Sequence, residues 1–380
     1  MPFPLILTLQ RQRIPAVFMR AGTSRGLFFK LEDLPESRED WAEVISHTMG
    51  SPDPFCRQLD GMGAGTSTTS KVAVVSKSAD PRADVDYLFI QVPVAGSILD
   101  FNGNCGNIAS GVGPFAVDVN TGVIIHSHFL VRNKVPVESG SFQLDGVGTP
   151  GSPIRLDFQK PGGSMTGRLL PTGNPTDTFI LPPSFPGGLS RTVRASCVDS
   201  GNPVVFVQAE DLGFNGNESN QALLAITPEL LDIRALASVK MGLWSTVEEA
   251  VRSEGVPKVA IIGSPRSYVT PSGRVVRKEE IAIVIRAWSM GLPHPAFQMT
   301  GAVCLASACS IPGTLPYDIV HSSTGNRSPL KLGHASGTMD VNSETGGTDG
   351  AVEIASASVY RTARRLMQGT VLYLGNSRVV

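Results

Sequence analysis

Two of the chain's five cysteines sit in similar surroundings. Cys105 lies in NCGNIASGVG, 104–113, and Cys304 in MTGAVCLASA, 299–308; each has glycine nearby and small residues after it. A thiol near a helix N-terminus has its thiolate favoured by free backbone N–H groups, and small neighbours let a substrate approach. Such a group can move a proton; a buried structural cysteine is the alternative. Cys56, Cys197 and Cys309 read as structural. The stretch GMGAGTSTTS, 61–70, combines three glycines with five hydroxyl side chains and runs into Lys71. Such a loop could direct several backbone N–H groups at an anion, with Lys71 adding charge. A lysine entering the apolar run KVAVV would be partly desolvated, which suits acid–base work. An ordinary turn with a solvated lysine is the alternative, because neither GxxxxGK[ST] nor GxGxxG is met. In AGTSRG, 21–26, Ser24 and Arg25 could hold a carboxylate, Arg25 with two hydrogen bonds, or form a plain turn. His294, in LPHPAF, is either a donor or acid–base group or a structural loop histidine. No His/Cys/Asp/Glu set has metal-ligand spacing, so a metal is not expected. GTSRG, 22–26, has the G-x-S-x-G form, but the sequence shows no nucleophile–base pair, so serine-hydrolase chemistry is not expected either.

Positioning such residues needs large cores. At 380 residues, two domains are the natural expectation, with a linker somewhere in 160–195. Apolar residues make up 41% and charged residues only 17%, against about 25% usually, which fits a large buried fraction and permits a homodimer. A net charge of −1 gives no field for nucleic acid or an anionic membrane. No apolar run is long enough for a membrane span. Five cysteines without a disulfide or zinc pattern point to a reducing compartment and a cytoplasmic protein, although Arg11, Arg13 and Arg20 leave a mitochondrial presequence open.

The 40 glycines and 28 prolines punctuate many short segments, as in a β-rich chain. Strands are expected at 15–22, 84–94, 279–291 and near 258–263, and hairpins over 122–160. Helices are expected over 33–50, ending at Gly50, over 104–122 just after Cys105, over 227–243, and after 299. Segment 321–350 reads as a long loop around the short strand TMDV. The order strand, loop, cysteine, small-residue helix occurs twice: DVDYLFIQVPVAG leads to NCGNIASG, and EEIAIVIRAWSMG leads to MTGAVCLA. This favours an internal duplication.

On FMRAGTSRGLFF, LDGMGAGTSTTSKVAVVS, NCGNIASGVGPFAV, GRLLPTGNPTD, GNPVVFV, HPAFQMTGAVCLA and SVYRTARRLMQGTVLY, the chain resembles the methylaconitate isomerase (PrpF-like) family. The stretches run in order over nearly the whole length; 136–160 and 321–350 match less clearly. The resemblance implies an α/β fold of the diaminopimelate epimerase type. Its two similar domains, 1–190 and 191–380, would each wrap a barrel-like sheet around a central helix, with the last strand free to return to the first domain. The active site would lie in the interdomain cleft, with one cysteine at the start of each central helix. The resemblance further implies a cofactor-independent, metal-free isomerase that moves a proton and a double bond in a small unsaturated di- or tricarboxylate. Lys71 and Cys105 match the family's proposed acid–base pair, and Cys304 the second cysteine of the epimerase-like arrangement. Ser24, Arg25, Gly65, Thr66, Ser67, Asn107, His294, Thr300 and Gly301 are the substrate-contact candidates. An amino-acid epimerase and a non-catalytic tricarboxylate-binding member are the competing functions.

Overall fold

The structure, a computed structural model, describes residues 10–113, 115–118, 121–181, 190–253, 255–323, 329–346 and 352–375. The first strands are β1 (Gln10–Ala21), β2 (Ser24–Lys30), β3 (Lys71–Lys77), β4 (Val85–Gln91), β5 (Phe115–Asp118), β6 (Ile124–His128) and β7 (Ile154–Gln159). There follow β8 (Asp177–Leu181), β9 (Arg191–Asp199), β10 (Pro203–Gln208), β11 (Lys258–Gly263) and β12 (Ile283–Ser289). The last are β13 (Leu330–His334), β14 (Gly337–Gly346), β15 (Glu353–Arg361) and β16 (Ala363–Gly375). Four helices matter to the site: α1 (Trp41–Met49), α2 (Gly106–Ala109), α3 (Thr227–Lys240) and α4 (Met299–Ala308).

The pairings form one continuous run, β16–β1–β2–β3–β4–β5–β6–β7–β15–β14–β13–β12–β11–β10–β9–β8. Each strand in β1–β8 has its counterpart eight strands later. The pairs β2–β3 and β4–β5 are parallel, and so are β10–β11 and β12–β13. The pairs β1–β2, β3–β4, β5–β6 and β6–β7 are antiparallel, as are β9–β10, β11–β12, β13–β14 and β14–β15. The helices repeat as well. Helix α1 lies between β2 and β3, and α3 between β10 and β11; α2 lies between β4 and β5, and α4 between β12 and β13. A duplicated unit accounts for this correspondence.

The two halves exchange their outermost strands. β16, at the end of the chain, pairs with β1, and β8 pairs with β9. A cut at 190 therefore separates β8 from the strands it joins; residues 182–189 lie outside the described residues. So does most of the apolar start of the chain, where a presequence was considered.

Strand alternation sorts side chains into layers. From β2, Phe28 enters the inner core with α2 and α4, whereas Leu27 and Phe29 face outward onto α1. The inner core draws on both halves, packing Ile108 of α2 with Val303 and Leu305 of α4. α3 covers the equivalent outer face of β9–β11, through Leu230 and Ile233. Fully burying such side chains is worth about 1.5–3 kcal/mol each, which fixes the central helices between the halves.

Two sequence expectations are corrected. The helix over 104–122 is one turn long: α2 ends at Ala109, Gly111 and Gly113 follow, and the chain enters β5. Segment 321–350 is not mainly loop. It contains the end of a helix, Leu315–Ser323, and the hairpin β13–β14; residues 324–328 and 347–350 lie outside the described residues. No helix among the described residues is long and apolar enough to cross a membrane.

Candidate active site

A small pocket opens where α2 and α4 begin. Both halves line it. From the first come Ser24, Lys71, Gln91, Asn104, Cys105 and Asn107; from the second come Asn202, Lys258, Ser289, His294, Gln298 and Thr300.

Lys71 opens β3 and is buried, with its Nζ 3.0 Å from Gln91 Oε1 and 3.5 Å from Cys105 Sγ. The Phe89 ring lies 4.9 Å from the ammonium. Gln91 stands opposite Lys71 on β4 and donates its amide N–H groups to the carbonyls of Ser67 and Ser70. Its oxygen is thereby aimed at the lysine. Gly26 explains the close approach of β2 to β3: a Cβ there would lie 2.1 Å from the Lys71 carbonyl oxygen. Cys105 is the N-cap of α2, in extended backbone, with its side chain buried. A four-residue helix has little macrodipole, so its free N–H groups are what it offers an anion.

Lys258 is the residue that sequence reasoning missed. It opens β11 as Lys71 opens β3, and each lysine begins the same triplet, in KVAVV and KVAII. That repeated triplet was the available signal. Desolvation, reinforced by the charge of Lys71 and opposed by Asp100, lowers the Lys258 ammonium to about 8. Burial, joined by the charges of Lys71, Lys258 and Arg361, holds His294 down to about 3. Its ring is therefore neutral. Nδ1 accepts the Ala296 N–H at 3.0 Å, leaving Nε2–H as a donor.

Several buried polar atoms in the pocket have no hydrogen-bond partner among the described residues: Nδ2 of Asn104, both amide atoms of Asn202, and Oε1 of Gln298. Buried polar groups normally find partners, so these mark where a polar ligand fits. Asn202 lies in the turn before β10; by the registers Gly26–Lys71 and Val204–Lys258 it is the counterpart of Ser24, the first residue of β2, and it was a second residue missed.

Some of the expected residues lie elsewhere. Cys304 is not at the start of α4. It is the sixth residue of the helix, fully buried, and its Sγ donates to the Val198 carbonyl at 3.3 Å. Burial and the Asp199 charge push its thiol well above the ordinary value, so it stays protonated. The N-cap matching Cys105 is Gln298. Arg25 is turned away by strand alternation: Ser24 faces the pocket, while the Arg25 guanidinium lies 5.5 Å from the Phe18 ring. Gly65, Thr66 and Ser67 do not line the pocket. The Gly65 N–H donates to Gln58, and the Thr66 hydroxyl bonds to Thr68 and Thr69. Ser67 reaches the site only through Gln91. Gly301 packs against Phe297, one turn into α4.

The PrpF protein family matches residues 11–374. The chain is 36% identical to the 2-methyl-aconitate isomerase of Cupriavidus necator, over 96% of this chain and 98% of that one. The crystal structure of a methylitaconate-delta-isomerase superposes with a TM-score of 0.74 at 35% identity, covering 96% of both chains. A hydroxyproline epimerase from Agrobacterium vitis shares the fold alone, with a TM-score of 0.51 at 9% identity, over 96% of this chain and 94% of that one. The fold is thus the two-domain epimerase type and the enzyme class is isomerase. The chain belongs to the PrpF family.

Proposed function

We propose that the chain moves a proton, and with it a double bond, in a small unsaturated di- or tricarboxylate such as methylaconitate or aconitate, without a cofactor. The observation that carries this is the contact of 3.5 Å between Lys71 Nζ and Cys105 Sγ, inside a pocket lined by a second lysine and unpartnered amides.

The Cys105 thiolate removes a proton from the allylic carbon next to a carboxylate. The electron pair spreads over the allyl system and onto carboxylate oxygen. The Lys71 ammonium delivers a proton to the far carbon, and the double bond shifts. The proton on sulfur then crosses to the Lys71 amine, which restores the starting pair. Positioned acid–base groups of this kind contribute about 10²–10⁴-fold each. Lys258, the His294 Nε2–H and the amides of Asn104 and Asn202 hold the carboxylates and stabilise the charge that develops. An epimerase needs two acid–base groups on opposite faces of one carbon; the counterpart of Cys105 is Gln298, which cannot ionise. All five cysteines are free thiols, as suits a cytoplasmic enzyme.

The test is proton NMR of the purified protein with 2-methylaconitate, cis- and trans-aconitate and 2-methylene acids of the itaconate type. Migration or inversion of the double bond in at least one acid is expected. If none of them reacts, the carboxylate reading fails; binding without turnover would make the chain a non-catalytic member.

A further inference from the structure

The stretch SVYRTARRLMQGTVLY carries a buried cation that the proposed reaction does not use. Arg361 ends β15, has no exposed surface, and lies behind α2 rather than in the pocket. Its guanidinium donates to Asn107 Oδ1 at 2.9 Å, to the Tyr360 carbonyl at 2.7 Å and to Met339 Sδ at 3.0 Å. No carboxylate is among these partners. A cation buried without a carboxylate is expensive and needs a reason. Desolvation lowers it to about 9.

The surroundings are built to hold this arrangement. Asn107 stands in the first turn of α2, and its Nδ2 donates to Thr23 Oγ1 at 3.1 Å. With Oδ1 taken by Arg361, the amide cannot flip, and its remaining N–H is left for the pocket it lines. Gly22, at φ 55°, closes the stack: a Cβ there would lie 2.1 Å from Asn107 Oδ1 and 3.1 Å from Arg361 Cδ. Arg20 ties the same corner together, donating to the carbonyls of Gly22 and Thr362. Three elements of the chain thus converge to seat one guanidinium against one amide.

We propose that Arg361 is a positioning residue for the reaction, fixing the Asn107 amide from behind α2 so that its remaining N–H is presented to the substrate. The inference rests on the assignment of this pocket to the proposed reaction.

The experiment compares the parent with Arg361→Gln, Arg361→Lys and Asn107→Ala. Solvent exchange of the Asn107 side-chain amide is followed by ¹⁵N NMR without substrate, beside kcat and KM for 2-methylaconitate and thermal unfolding. Arg361→Gln should quicken that exchange and lower kcat, each by about tenfold, because the amide loses its charged donor. Arg361→Lys lacks the planar fork, so its kcat should also fall about tenfold. A folded Arg361→Gln protein with the parent's amide exchange and kcat would overturn the proposal, whatever its thermal stability. If that variant does not fold, Arg361→Lys decides alone: a kcat within about threefold of the parent would overturn it. Amide exchange is read without substrate, so its outcome is separate from that of the proposed reaction.

Discussion

The two halves of the molecule share one strand order and differ at the pocket. Lys71 opens β3 and Lys258 opens β11; Gln91 ends β4 and Ser289 ends β12; Cys105 caps α2 and Gln298 caps α4. In the first half the lysine has a thiol at 3.5 Å and a glutamine that aims it. In the second half a neutral amide stands where the thiol would be. A duplicated frame therefore brings two equivalent lysines into one pocket, and on the proposed mechanism only one of them exchanges protons. On the proposed mechanism the first half reacts and the second half grips.

The largest effects should come from the reacting half. Lys71→Ala and Cys105→Ser should each lower kcat by about 10²–10⁴-fold, measured by NMR or ultraviolet assay, with the fold intact by circular dichroism. Lys258→Ala should act differently, raising KM by about tenfold or more with a smaller change in kcat, since a carboxylate loses a charged partner. Equal losses of kcat at both lysines would erase the distinction between the halves.

The pH dependence sharpens the same contrast. Lys258 is charged below about 8 and neutral above it. KM for an anionic substrate should therefore rise as pH passes upward through about 8. Lys258→Arg should move that rise beyond the accessible range, because arginine stays charged. Stability has a different pH window. His294 and His334 are both held near 3 by burial, against an ordinary 6.5. As pH falls from about 6.5 towards 3 the unfolded chain takes up protons that the folded chain refuses. Thermal midpoints should drop over that interval and stay level in this respect above it.

The smallest effect belongs to Cys304. Cys304→Ala should leave kcat within about twofold and cost about 1 kcal/mol of stability, by calorimetry, because a small buried group is removed from a packed helix. A loss comparable to that of Cys105→Ser would restore Cys304 to the reaction.

Much of this was legible in the sequence, and the failures have physical causes. The strand–loop–helix repeat follows from patterns in the chain, whereas the Lys71–Cys105 pairing came from the family resemblance. The mate of Cys105 was misassigned because similar composition drew attention to Cys304, whereas equivalence depends on the N-cap, which Gln298 occupies. Arg25 was misplaced because alternation along β2 sends Ser24 inward and its neighbour to the other face. The hydroxyl loop 61–70 looked like an anion cradle, yet several of its polar groups satisfy one another. Lys258 was visible only as a repeated KVA triplet, and nothing local marked it as facing a cleft. Arg361 could not be found from sequence, since its partner Asn107 is brought to it only by the fold.

The most direct test of the Lys71–Cys105 pair is turnover of 2-methylaconitate in D₂O by the parent, Lys71→Ala and Cys105→Ser proteins. The account predicts one deuterium in the product, at the carbon that receives the proton, with exchange and double-bond migration slowed about 10²–10⁴-fold in either variant. Product formed at the parent's rate by either variant, or formed by the parent without any solvent deuterium, would contradict it.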